Sequence, residues 1–189
     1  MDYACQTQLA TKAYLTMSIQ NLGPLLQLGE STGTIGLDGV ADFRAALDSM
    51  AKQARHSIKI FTQELDHELY DNADFIRVAS EIGRNRKHCE IQILIKDADK
   101  ATKLGHRLVE LHRRLPSSIH IRQLPRDYLE ETDEFMLVDD IGLVKRYTIG
   151  YMQGCCEFKC IPEAQKKARF FNSVWQRSEP CQDLRRLSL

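Results

Sequence analysis

Two short apolar runs end in side chains that could do chemistry. Ser57-Ile58-Lys59-Ile60-Phe61-Thr62 leads into Gln63-Glu64-Leu65-Asp66-His67, and Cys89 to Ile95 leads into Lys96-Asp97. As parallel strands of an α/β sheet, both runs would present these residues beyond their carboxyl ends, where such sheets hold ligands. Asp66 and His67 could then supply a base or a ligand contact, with Thr62 beside them. Asp66 and Asp71 also have the ordinary reading of turn and capping residues, and Asp97 that of a helix cap. Further along, Lys103, Arg107 and Arg114 share one flank of a helical leucine stripe, with His106 and Arg113 almost opposite it. A guanidinium fork matches a phosphate or carboxylate, so Arg107 and Arg146 are expected to hold a small anion. Replacing either by alanine is expected to weaken that binding and leave the melting temperature unchanged. The competing reading is a solvated face with local ion pairs, neutralised by the acidic stretch 127–140.

Cys155-Cys156-Glu157-Phe158-Lys159-Cys160 invites a metal reading, but structural zinc usually takes two paired ligand clusters and the chain has one. Adjacent cysteines on a strand point to opposite faces, and buried small residues explain them better. The six histidines are scattered through the sequence, and none forms a catalytic string with a neighbouring carboxylate. GxxxxGKS, GxGxxG, HExxH and GxSxG are all absent, which removes the commonest nucleotide, zinc-protease and hydrolase readings. No metal and no cofactor is expected.

The elements that must position these residues follow from periodicity. Thr34 to Leu37 reads as a short strand, and Ala41 to Arg55 as a helix with Phe43, Leu47, Met50 and Ala54 on one face. After the strand at 57–62, Asn72 caps a helix carrying Phe75, Ile76, Ala79 and Ile82. Ala98 to Leu115 reads as one helix, with Leu104, Leu108, Leu111 and Leu115 in a stripe, and Ser118 to Gln123 as a strand. Glu134 to Val138 and Gly142 to Thr148 form a hairpin about Asp139-Asp140, followed by a strand from Glu157 to Ile161 and a closing helix from Pro162. This order predicts an α/β fold with a mixed, partly parallel sheet flanked by helices. Residues 1–32 read as a helical arm or linker, and 33–189 as a single domain.

With 189 residues, 43% of them hydrophobic and 28% charged, the chain is one ordinary globular domain, neither disordered nor fibrous. No apolar run approaches a membrane span and the N-terminus has no signal-like core, so a cytoplasmic protein with free thiols and no membrane partner is expected. Net charge is zero, but its distribution is not: residues 84–126 carry +7 and 127–140 carry −7. Neutrality and 7% aromatics weigh against a nucleic-acid partner.

The run Asp38-Gly39-Val40-Ala41-Asp42-Phe43, a helix, then His56 to Thr62, resembles the opening of a phospholipase D-like domain. Ile91 to Ile95, Gly105-His106-Arg107-Leu108, Ile119-His120-Ile121-Arg122 and Phe135 to Asp140 resemble its continuation, over about residues 36–178. Active members carry HxKxxxxDxxxxxxGSxN on the strand pair placed here at 133–148; their His attacks phosphorus, and their Lys and Asn hold its oxygens. With Asp140 as the motif aspartate, Asp133 and Phe135 occupy the His and Lys positions; with Asp139, Thr132 and Glu134 do. Neither register restores a nucleophile. The resemblance thus implies a degenerate, non-catalytic member, similar to a proteobacterial family in which the domain stands alone or behind an N-acetyltransferase domain. Single-half nucleases of the superfamily pair, which implies homodimers.

The function expected is therefore a binding or regulatory module that takes a small anion or a partner protein near Thr62, Asp66, His67, Arg107 and Arg146. The partner protein includes an N-acetyltransferase. Two alternatives stand beside it. One is an enzyme with a relocated acid–base site at Asp66, His67 and His106. The other is nucleic-acid binding through Arg84, Arg86, Lys87, Arg113, Arg114 and Arg122.

Overall fold

The structure, a computed structural model, describes residues 19–85, 89–103, 105–148, 150–181 and 184. Its centre is strand β2 (Ser57–Glu64), whose six inner residues are all buried because both faces are covered. Alternation sends Ile58 and Ile60 to one face and Phe61 to the other. β3 (Glu90–Asp97) and β4 (Ile119–Gln123) add in parallel on one side. β5 (Glu134–Val138), β6 (Gly142–Arg146) and β7 (Gln153–Glu157) add as antiparallel neighbours on the other. β1 (Ile35–Asp38) closes that edge against β7, and the two-residue β8 (Glu179–Pro180) closes the far edge against β4. The order β1-β7-β6-β5-β2-β3-β4-β8 makes a mixed, partly parallel sheet flanked by helices, as the element order predicted.

Helix α1 (Ile19–Leu22), α2 (Val40–Lys52), the short α3 (His67–Tyr70) and α4 (Ala73–Asn85) cover one face. The short α5 (Asp99–Lys103) and α6 (Arg107–Arg114) complete that layer. α7 (Ile161–Arg177) packs Ala164, Ala168, Phe171 and Val174 on the other face against Phe61, Leu94, Phe135 and Leu137. Asn72 caps α4 through the Phe75 N–H, at 2.9 Å, and Asp97 accepts from the Asp99 N–H at 2.8 Å. No helix among the described residues is long and apolar enough to cross a membrane.

Two expectations are corrected. The single helix 98–115 is two, because Gly105 takes φ +71° and His106 is extended, ending one helix and capping the next. The strand expected at 157–161 lies four residues earlier, at Gln153–Glu157. Within 19–28, Ile19, Leu22 and Leu26 are buried, and Gln53 bonds both the Leu28 N–H (2.8 Å) and the Leu26 carbonyl (2.9 Å). Residues 1–18 of the expected arm lie outside the described residues.

Between α2 and α4, burial and the nearby Asp74 carboxylate push the Asp48 carboxyl from 3.8 up to about 6, and its Oδ1 has no hydrogen-bond partner. The folded state then binds this proton more tightly than the unfolded chain, so the charged form weakens folding above pH 6, and that effect fades as pH falls toward 3.8. Asp48→Asn is expected to raise stability by about 1 kcal/mol at pH 7.5, after allowance for solvent screening, with no gain below about pH 4. Urea melts at the two pH values measure it.

Candidate functional site

Strands β2, β5 and β6 end at one corner of the sheet, and their registers decide what meets there. Glu134 at the start of β5 lies directly opposite Arg146 at the end of β6. Arg146 Nη1 donates to Glu134 Oε2 at 2.9 Å and lies 3.7 Å from Asp66 Oδ2, while Arg146 Nε donates to the Tyr151 carbonyl at 2.8 Å. Both the Arg146 and Glu134 side chains are 11% exposed. Glu134 Oε1 also accepts from the Gln63 N–H at 3.1 Å and sits 3.0 Å from the hydroxyl of buried Thr62. Behind them is Tyr70, whose phenol is pushed above its ordinary pKa by burial and by the Glu134 and Asp66 carboxylates. Thr62, Asp66, Tyr70, Glu134 and Arg146, with an apolar floor that includes Phe43, line a cavity of about 20 Å³. That is room for one water (a single water needs at least about 10–15 Å³). Among the described residues, its charged walls are two carboxylates and one guanidinium.

A second cluster lies beside it, on the loops that follow β2 and β3. Asp71 Oδ2 accepts from His67 Nδ1 at 3.2 Å, and Asp71 Oδ1 from Arg107 Nε at 2.5 Å. The Arg107 guanidinium also donates to the Asp71 carbonyl. Burial pushes the Asp71 carboxyl up, but the Arg107 hydrogen bonds and the His106 ring outweigh it and hold the group below its usual range. His106, 1% exposed, stands with its ring centroid 4.7 Å from that of His67. Its Nδ1 accepts from the Leu108 N–H at 3.1 Å. Burial lowers the His106 pKa to about 4, so the ring is neutral. The Nε2 atoms of both histidines are buried without a hydrogen-bond partner.

Residues 39–187 match a domain of unknown function, DUF7931. The chain belongs to that family. No curated protein matches the DUF7931 chain. Solved structures do. Nuc from Salmonella typhimurium, a phospholipase D family member, shares 11% identity at TM-score 0.58 over 80% of this chain and 99% of its own. NucT from Helicobacter pylori shares 11% at 0.59, over 80% and 100%. The archaeal chromatin protein TrmBL2, described with a novel mode of DNA binding, shares 12% at 0.59 over 94% of this chain, which spans 64% of TrmBL2. At such identities the likeness is one of fold, and the fold is phospholipase D-like.

In this DUF7931 domain the residues singled out by sequence fall in two groups. Thr62, Asp66 and Arg146 meet at the cavity; His67 and Arg107 meet at Asp71. Asp66 also caps α3 through the Glu68 N–H, at 2.9 Å, which was its ordinary reading. The row of cations is tied down: Lys103 bonds Asp99, Arg114 lies 3.9 Å from Glu110, and Arg113 bonds the Leu184 carbonyl. Arg122 stacks over Trp175 and bonds two carbonyls. Arg86 and Lys87 lie outside the described residues. The histidines scattered in sequence are not all scattered in space, and Asp71, not Asp66, is the carboxylate beside His67 and His106. Glu134 and Tyr70 were missed. The hairpin register would have found Glu134, since it stands directly across from Arg146.

Proposed function

We propose that the domain is a non-catalytic, phospholipase D-like module that works by engaging a partner protein. The Glu134–Arg146 ion pair carries this reading. With Asp139 as the motif aspartate, Glu134 stands where the lysine would be, Arg146 where the first glycine would be, and Thr132 where the nucleophilic histidine would be. A carboxylate repels the phosphoryl oxygen that a lysine would hold, and a threonine hydroxyl has no basic nitrogen to activate it. A small anion is the weaker of the two ligands expected: Arg107 and Arg146 are already bonded to carboxylates, and the cavity admits about one water. A partner protein needs no cavity. By the resemblance, a chain carrying an N-acetyltransferase domain is the first partner to test, and a second copy the next, both by analytical size exclusion.

Purified protein is expected to hydrolyse neither bis(p-nitrophenyl) phosphate nor single-stranded DNA above the buffer rate. Turnover lost in both Thr132→Ala and Glu134→Gln would overturn the proposal. A relocated acid–base site is a second reading, favoured by the 4.7 Å approach of His67 and His106. Turnover lost in His67→Gln would support it, although both Nε2 atoms are sealed from a substrate.

A further inference from the structure

We infer that His67, Asp71 and His106 form a binding site for one divalent transition-metal ion, with Zn²⁺ the first choice. The three come together because β2 and β3 are adjacent parallel strands whose ends are in register at Glu64 and Asp97. The loop after β2 carries His67 and Asp71 at the two ends of α3, and the segment after β3 brings His106 back as the cap of α6. One ligand atom from each residue lies within 4.8 Å of the other two. Tetrahedral zinc, with bonds of about 2.0–2.2 Å, wants these atoms about 3.4 Å apart, so binding must draw them inward.

The cluster has a feature that an ordinary buried ion pair lacks. The His106 Nε2 atom is taken out of water and given nothing in return, a state that folded proteins avoid. A cation beside it answers that. His67 faces the ion through Nδ1, which lies 3.2 Å from Asp71 Oδ2, close to the spacing of two zinc ligands; on binding, its Nδ1 proton passes to its own Nε2. His106 Nδ1 now accepts the Leu108 N–H, so the His106 ring proton sits on Nε2. Coordination through Nε2 moves that proton to Nδ1 and releases the Leu108 amide, which makes the amide a reporter of the bound state. Arg107 opposes the ion, since its guanidinium neutralises the one anionic ligand. Two imidazoles and one carboxylate suit Zn²⁺ and Co²⁺ and are poor company for Mg²⁺, which prefers oxygen. The site is separate from the Glu134–Arg146 cavity and does not depend on the catalytic status of that cavity.

The test uses the full, untagged chain, stripped with a chelator and titrated with Zn²⁺ by calorimetry, with Mg²⁺ as control. One Zn²⁺ per chain is expected, with no Mg²⁺ heat and a shift of the Leu108 amide resonance. His67→Gln and His106→Asn should each weaken affinity at least about tenfold, and the asparagine keeps the α6 cap so that the variant folds. Arg107→Gln should tighten binding severalfold, a sign that a merely structural role would not give. The Co²⁺ complex should lack a thiolate charge-transfer band. Absence of stoichiometric Zn²⁺ binding, retention of it in both histidine variants, or a thiolate band would overturn the site.

Discussion

Arg146→Ala is expected to destabilise the fold by about 3 kcal/mol, at the low end for removing one member of a buried ion pair. For a domain of this size that is a fall of about 6–12 °C in melting midpoint. The argument is one of charge left behind. Among the described residues, Arg146 is the only cation lining the cavity, and two carboxylates, Glu134 and Asp66, face it there. Glu134 keeps its bonds from Thr62 and the Gln63 amide when Arg146 goes, but neither neutralises it, and Asp66 then repels it at short range. Removing both partners has a different outcome. Glu134→Leu with Arg146→Leu takes out the charges together and should lie within about 1 kcal/mol of the natural sequence, because desolvation nearly cancels the attraction in such pairs. A thermal melt of the three proteins decides it. Equal stability of the single variant and the natural chain would mean that water reaches the pair freely. The sequence-based expectation that Arg146→Ala leaves the melting temperature unchanged is replaced by this one, because an arginine imagined as waiting for an anion already holds two.

That correction shows which information local sequence carries. The alternation in 57–62, the apolar run 89–95 and the face Phe43, Leu47, Met50 give strands and helices, since neighbours along the chain set those periods. The order of elements then gives the mixed sheet. The split of 98–115 was legible in Gly105, but the leucine spacing runs on through it and masks the break. What local sequence does not carry is the partner of each charge. Arg107 meets a carboxylate 36 residues away and Lys59 one 81 residues away, and both encounters exist only once the strands are paired. His67 and His106 were legible as residue types and not as a pair, because parallel neighbours are joined by long crossovers.

Gly154→Ala should cost as much as any single substitution at the site, about 3 kcal/mol or more, although the glycine carries no chemistry. On β7 it lies opposite Arg146 of β6 and Leu37 of β1. A methyl group there would meet the Lys145 carbonyl oxygen at 2.0 Å and the Phe43 ring at 2.7 Å. The ring could turn; the carbonyl belongs to the ladder that fixes Arg146 and could move only by breaking it. Glycine in a strand often marks such a close approach. Faster amide exchange in Ile35–Asp38 and Gln153–Glu157, alongside a lower melting point, is the expected result. Gly36→Ala on β1 is the control: its added carbon meets nothing within 4 Å, and it should stay within about 0.5 kcal/mol. Full rescue of Gly154→Ala by Phe43→Leu would put the strain in the ring and leave the ladder intact. Failure of that rescue is expected, because one atom of backbone, 2.0 Å from the new methyl, stays where the β6–β7 register holds it.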